Sequence, residues 1–257
     1  MNENLKEVIK LLENNDEEIY PVFAYSILNK YINGQFYLDE LEKSLLIRTD
    51  SGIFVVAGDE MNKDFYQLLK ENYNIRKNAN ERFTLFSPSQ KWDQAINELF
   101  GKELKQIYRY SFQFNKGTYS SIKKSEIPKE FTLVEMDEKT ITKSIDFNES
   151  YFNEYWGSVS KFLENGFGYC LLHSETVVSE CTSIFCSPQY AEIDITTQEK
   201  YRGMGLGQKV AEIFMERCIE KRINPKWDCD INNVASIKMA ERLGFENPIK
   251  YSIYVRR

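Results

Sequence analysis

The chain has 257 residues, enough for two modest domains or one large one and, either way, for a substantial core. Hydrophobic residues make up 42% of it and charged residues 28%, which excludes wholesale disorder, collagen-like repeats and low-complexity architectures. With 33 Lys and Arg against 39 Asp and Glu, the formal charge of −6 has the wrong sign for a general nucleic-acid or anionic-membrane binder, so an anionic ligand must be captured by a local feature.

No stretch reaches the roughly 18 apolar residues of a membrane-crossing helix, and residues 1–18 lack the basic-then-apolar layout of a signal peptide, so the expected location is cytoplasmic. The five cysteines (Cys170, Cys181, Cys186, Cys218 and Cys229) are odd in number and form no CxxC pair, and His173 is the single histidine. That combination argues against structural zinc and against a disulfide framework. A His-based triad would have to use His173, which lies between the apolar run 168–172 and the turn-like Ser174-Glu175-Thr176 and reads as a turn-flanking residue.

Leu5, Val8, Ile9, Leu11 and Leu12 recur at helix spacing, and a second helix is predicted over about 22–32. Two apolar runs, 45–48 and 53–57, flank Thr49-Asp50-Ser51-Gly52 and predict a β-hairpin. A helix near 64–73, a strand over 83–86, a helix over 89–99 after Pro88 and an alternating strand over 106–114 complete a first half without recognisable chemistry. The polar stretch 115–128 reads as a linker and places a domain boundary near residue 125, dividing the chain into 1–125 and 126–257. The second half then reads as a strand (131–134), helices (139–145 and 154–164) and strands at 168–172, 177–186 and 190–196. A long helix from Gly207, a strand (227–231), a helix (234–243) and a strand (250–255) follow. Strands in series followed by helix, strand, helix, strand make a mixed α/β (α+β) layout with a smaller α+β unit in front, and no internal repeat is visible.

Residues 193–210 form the informative segment: a strand, a basic glycine-rich loop and a helix. Gly203, Gly205 and Gly207 at alternate positions let the main chain curl with its N–H groups converging, and the following helix aims its N-terminus at the same spot. Arg202 adds a full positive charge. A diphosphate suits such a loop, but the spacing is neither that of a P-loop nor that of a Rossmann fingerprint.

In the order Arg-x-x-Gly-x-Gly, Arg202, Gly205 and Gly207 resemble the coenzyme A pyrophosphate loop of the GCN5-related N-acetyltransferase (GNAT) superfamily. Residues 233–245 match that superfamily's second hallmark, an Asn-x-x-Ala/Ser helix ending in Leu-Gly-Phe. Read from its residues alone, the same segment is a helix capped by Asn232 or Asn233, with Val234, Ile237, Met239 and Ala240 inward and Gly244 closing it in a left-handed turn. Residues 166–172, 192–197, 225–228 and 251–254 further resemble the zwittermicin-resistance-like branch, and the likeness is best over about 130–257. The resemblance implies a mostly antiparallel central sheet flanked by helices. It also implies acetyl transfer from acetyl-CoA to the amine of a small molecule by direct attack in a ternary complex, in some members as antibiotic self-protection. The cofactor-binding residues it implies are Ile195, Thr196 and Thr197 through their main chain, the loop Arg202, Gly203, Met204, Gly205, Leu206 and Gly207, and Asn233 and Ser236. Small acetyltransferases commonly pair, so a homodimer is a further expectation.

Such a reaction needs a base for the ammonium and an acid for the leaving thiolate. Glu192 and Asp194 stand two apart on a strand and share a face, which makes Glu192 the expected base. Many superfamily members carry a tyrosine four residues before the glycine of Leu-Gly-Phe, and Ala240 stands there in this chain. Tyr251 and Tyr254 are the substitutes by position, with Ser236 as a third. That departure keeps open a non-catalytic coenzyme A-binding sensor or partner-binding module, and transfer of another acyl group. Tyr155 and Trp156 read either as acceptor-site wall or as core, and Cys229 as a small buried residue.

Overall fold

The computed structural model describes residues 8, 9, 11, 12, 19–124 and 126–257. Of the predicted N-terminal helix, Leu5 lies outside the described residues, whereas residues 8, 9, 11 and 12 are helical, with Val8 and Leu12 buried. Packing divides the chain into two compact units, residues 1–110 with 249–257, and residues 111–248. This partition follows contacts and the residue-125 boundary follows composition; residue 125 itself lies outside the described residues.

The first unit opens with the helix Val22–Leu28 and the antiparallel strands β1 (Gly34–Leu38), β2 (Ser44–Thr49) and β3 (Ile53–Gly58). The β2–β3 hairpin falls where the sequence places it. Gly52 at its turn has φ +88°, and a side chain there would run into the Arg82 carbonyl, so glycine is required. The helix Lys63–Asn78, capped by Asn62, leads into β4 (Thr84–Ser87), which is parallel to β3. The helix Gln90–Phe100, capped by Ser89, then leads into β5 (Leu104–Phe114). Phe54, Phe65, Leu69, Tyr73, Phe83, Trp92 and Tyr254 meet in the core of this unit, with Phe83 4.7 Å from Phe54 and 5.1 Å from Tyr73. Each such side chain contributes roughly 1.5–3 kcal/mol through removal from water.

In the second unit the strands lie in the order β10 (Asn224–Asp230), β9 (Tyr190–Thr197), β8 (Thr176–Cys186), β7 (Gly168–His173) and β6 (Phe131–Glu135). Only β9–β10 is parallel among these pairs. The helix Leu206–Lys221 covers one face, burying Val210, Ala211, Phe214, Met215 and Cys218, with Phe214 stacked on Phe167 at 4.5 Å. Helices Glu149–Trp156 and Val159–Asn165 serve the other face, where Tyr155 meets Phe185 at 5.8 Å. The sequence reads these as one helix over 154–164. Gly157, at φ +81°, ends the first, and Ser158 caps the second. Part of the expected linker folds as well: Asn115 caps the short helix Lys116–Ser121, and the buried Tyr119 hydroxyl donates to the Glu212 carbonyl at 2.9 Å.

The two units repeat one order of elements, which no likeness of sequence betrays. Strands β1, β2 and β3, a 16-residue helix, the parallel β4, the helix Gln90–Phe100 and β5 have their counterparts in β7, β8 and β9, a 16-residue helix, the parallel β10, the helix Val234–Arg242 and β11 (Phe245–Arg256). The outer part of β11 belongs to the first unit, where Ser252 to Val255 pair antiparallel with β4. Among the described residues, no helix is long and apolar enough to cross a membrane.

Candidate active site

Strand β9 carries the site. Its parallel pairing with β10 runs from Tyr190↔Asn224 to Glu192↔Lys226 and goes no further, so the two strands part beyond Glu192. On the opposite edge β9 stays paired with β8 through Thr197↔Ser179, and the Gln198 N–H donates to the Val178 carbonyl at 2.9 Å. In an antiparallel ladder alternate residues bond to the partner strand, so Thr196 and Asp194 face β8, and Ile195 and Thr197 turn their N–H and C=O toward the gap left by β10. The resemblance asks this main-chain edge of residues 195–197; Ile195 and Thr197 provide it, whereas Thr196 is turned to β8, because alternate residues of a strand bond to opposite neighbours.

At the end of that edge lies the loop. Gly203 and Gly205 both have φ +78°, and a side chain added at either would meet nothing within 4 Å, so the loop is left-handed and open to a ligand. Gly205 precedes the helix Leu206–Lys221 without supplying a side-chain cap, which leaves the first-turn N–H groups for an anion. Arg202 and Met204 are exposed beside it. Gly207 serves differently: a Cβ there would stand 3.0 Å from Thr197 Oγ1, so its absence lets the helix close on β9.

Asn233 caps the helix Val234–Arg242 by accepting the Ser236 N–H at 3.1 Å, and Ser236 Oγ accepts the Trp227 indole N–H at 3.0 Å. Val234 is 57% exposed rather than inward, while Ala240 is fully buried and Gly244 closes the helix at φ +79°. Tyr251 and Tyr254 belong to the first unit. The Tyr251 hydroxyl accepts from Arg109 Nε at 3.0 Å, and the residue helps line a polar cavity of about 250 Å³ with Ser87, Asp93, Tyr108, Lys250 and Ser252. The Tyr254 hydroxyl donates toward Asp93, accepts from Asn97 Nδ2 at 3.1 Å, and is held above its usual pKa by burial and the Asp93 charge. His173 Nδ1 lies 3.1 Å from the Tyr201 hydroxyl at the end of β7, and all five cysteines are buried free thiols.

Glu192 and Asp194 do share a face, and the register sets Phe185 beside Glu192. The structure adds residues to this face that sequence reasoning did not single out. The Tyr151 hydroxyl donates to Asp194 Oδ2 at 2.8 Å, and its ring lies 4.7 Å from Phe147 and 4.9 Å from Tyr155. Thr196 Oγ1 donates to Asp146 Oδ2 at 2.8 Å, and Ser144 Oγ donates to the buried Glu180 at 2.6 Å. Only their distance along the chain hid them, since Asx- and Ser-rich 144–148 carries no periodic signal.

Burial pushes Glu180 up to about 7, with Asp146 adding to the rise and the Ser144 hydroxyl, Phe147 N–H and Cys170 thiol opposing it. Because the folded pKa stands above the unfolded one, the folded state holds a proton that the unfolded state releases from about pH 4.5 upward. Stability contributed by this group is therefore complete below about pH 4.5 and is lost as pH rises to about 7, on the order of 3 kcal/mol in all. Urea midpoints measured between pH 5 and 8 are expected to fall for the native chain and to stay flatter for Glu180→Gln. Equal slopes for both would remove Glu180 as the cause.

The chain matches the GNAT acetyltransferase family model over residues 11–254, across both units. It is 43% identical over 241 residues to the uncharacterized N-acetyltransferase YdfB of Bacillus subtilis (strain 168), covering 93% of this chain and 92% of that protein. Among solved structures, a GCN5-related N-acetyltransferase-like protein from Streptococcus suis 89/1591 aligns over 100% of both chains with a TM-score of 0.71 at 23% identity. A tandem GNAT protein from the clavulanic acid biosynthesis pathway aligns over 99% of this chain and 94% of its own with a TM-score of 0.66 at 11% identity. These last two show likeness of fold. With a family model spanning almost the whole sequence and a close full-length relative, the chain belongs to the GNAT acetyltransferase family.

Proposed function

We propose that this protein transfers an acetyl group from acetyl-CoA to the amine of a small molecule by direct attack in a ternary complex. The observation that carries the reading is the parting of β9 from β10 after Glu192. It turns the main chain of Ile195 and Thr197 to an open edge that ends at a left-handed glycine loop and an uncapped helix N-terminus. These features fit a thioester on a diphosphate-bearing arm. Ile195 and Thr197 would hold the arm, Thr196 having its main chain turned to β8, and Arg202, Gly203, Met204, Gly205, Leu206 and Gly207 would hold the diphosphate. Asn233 and Ser236 shape the neighbouring helix start. When bound, the cofactor supplies an activated acyl carbon; the chain supplies position and proton traffic. Glu192 is the base, on the face it shares with Asp194, and no acid is assigned, because Tyr251 and Tyr254, the substitutes by position, belong to the first unit and bond there to Arg109 and Asp93.

The first unit repeats the fold without repeating the loop. The turn from β3 to its 16-residue helix, residues 58–62, carries Asp59 and Glu60 and no cation, so it repels a diphosphate. One cofactor per chain is therefore expected by titration calorimetry. Acetyl-CoA at about 100 times its Kd should stabilise the native chain by about 2.7 kcal/mol, and Arg202→Glu should lose that stabilisation. Absence of any shift in the native chain would overturn the reading, as would a stoichiometry of two or an undiminished shift in the variant.

A further inference from the structure

The first unit holds its own polar cavity, of about 250 Å³, built by three neighbouring strands and one helix. Strands β4, β11 and β5 lie side by side, and the register sets Ser252 opposite Ser87. Alternation puts Lys250, Ser252 and Tyr254 of β11 on one face, and Gln106 and Tyr108 of β5 on another shared face. The helix Gln90–Phe100 packs over Tyr254 and brings Asp93, in its first turn, to the strands. Two relays of side chains end there. Gln106 Nε2 donates to Ser252 Oγ at 2.9 Å, and Ser252 Oγ donates to Asp93 Oδ2 at 2.8 Å. Asn97 Nδ2 donates to the Tyr254 hydroxyl at 3.1 Å, and that hydroxyl donates toward Asp93, 3.3 Å from Oδ1 and 3.2 Å from the main-chain carbonyl. Both relays deliver donors, so the Asp93 side chain serves as an acceptor, with lone pairs left over.

The cavity's cation does not answer this charge. Lys250 also lines the cavity, yet among the described residues no ion pair joins it to Asp93; its Nζ stands 3.6 Å from the centre of the Tyr108 ring instead. Asp93 and Lys250 together are neutral, so a purely cationic or purely anionic guest meets one attractive and one repulsive charge, whereas a guest carrying both signs meets two attractive ones. Lys250 and Gln90 are exposed at the mouth, and Ser87 and Ser252 are buried. Ser87 ends β4, which is parallel to β3, so the cavity lies at the carboxyl end of these strands. In the repeated order of elements, that is the end at which the second unit carries its glycine loop after β9. We propose that the first unit is a receptor for a small zwitterion of the amino-acid type, its ammonium held at Asp93 and its carboxylate at Lys250. The volume lies just under the roughly 300–1,000 Å³ of sites for drug-sized ligands and suits a smaller molecule. All lining residues belong to the first unit, so this site stands or falls apart from acetyl-CoA binding.

The test follows the melting point of the full chain with each common L-amino acid in turn at about 10 mM, where a Kd of about 1 mM gives a rise of roughly 3 °C. At least one amino acid is expected to give it. The carboxamide of that amino acid, without the carboxylate, and its deaminated acid, without the ammonium, should each bind about 10-fold more weakly. Lys250→Gln changes an exposed side chain outside the relays and should weaken binding of the amino acid about 3- to 10-fold while leaving its carboxamide unaffected. Asp93→Asn should weaken both; if the altered relays prevent folding, Lys250→Glu takes its place, with a larger loss than Lys250→Gln. In the native chain the Tyr108 ring protons should shift on binding, and Arg202→Glu should bind the amino acid as the native chain does. The proposal is overturned if no amino acid stabilises the chain, if the carboxamide binds as well as the amino acid, or if Lys250→Gln binds undiminished. Binding that moves the Tyr151 ring and not that of Tyr108 would place the ligand on the Glu192 face of the second unit and overturns it too.

Discussion

Glu192→Gln is expected to lower turnover by about 10²- to 10⁴-fold while leaving acetyl-CoA affinity within about twofold. The split follows from position. Glu192 is the last residue of β9 still paired with β10, through Lys226, so its main chain lies outside the parted segment that would hold the donor. Its side chain shares a face with Asp194 and stands in register with Phe185, which Tyr155 touches. Glutamine preserves the shape and a hydrogen-bonding oxygen and removes the negative charge together with the capacity to take a proton. The measurement is steady-state kinetics beside calorimetry on the same samples. Loss confined to kcat supports the base. Unchanged turnover would move the base to another group, and loss of donor affinity would make Glu192 part of the cofactor site.

A second large effect concerns stability. Trp156→Ala is expected to cost about 3–5 kcal/mol, read as a lowered urea midpoint, with Trp156→Phe costing less. The indole is fully buried and donates to the Ser183 carbonyl at 3.1 Å, so truncation both opens a cavity and leaves a buried acceptor without that partner. Relaxation into the cavity is hindered: the ring stands edge-on to Phe162 at 5.5 Å, and a side chain on Gly166 would already clash with both. Trp156 is thus the floor under the helix that carries Tyr151 and Tyr155, and the core reading of this residue prevails over the acceptor-wall one. A cost below about 1 kcal/mol would mean that the site collapses freely around the missing ring.

Some elements were legible in the sequence because their signals are local. The hairpin of β2 and β3 was readable from a turn tetrapeptide between two apolar runs, and Gly52 occupies the one position with a left-handed angle and no room for a side chain. The loop at Arg202 was readable for the same reason: glycines, a cation and a helix start lie within six residues. Short or composite elements were not readable. The six residues of Lys116–Ser121 are too few for a helical period, and the break at Gly157 hides inside an otherwise continuous apolar pattern. Val234 was placed inward on helical spacing alone, yet it sits in the first turn beyond the edge of the packed surface.

By itself the sequence determined the family, the glycine-rich loop and the acidic strand, since each depends on residue types at fixed short separations along one element. Tertiary structure alone decided what surrounds them. The Tyr151–Asp194, Thr196–Asp146 and Ser144–Glu180 bonds join residues 36 to 50 positions apart. The parting of β9 from β10 and the repeat of one fold order in two units with unlike residues depend on which strands pair and where pairing stops. Pairing and burial are set by the summed packing of many side chains, and no local pattern encodes that sum.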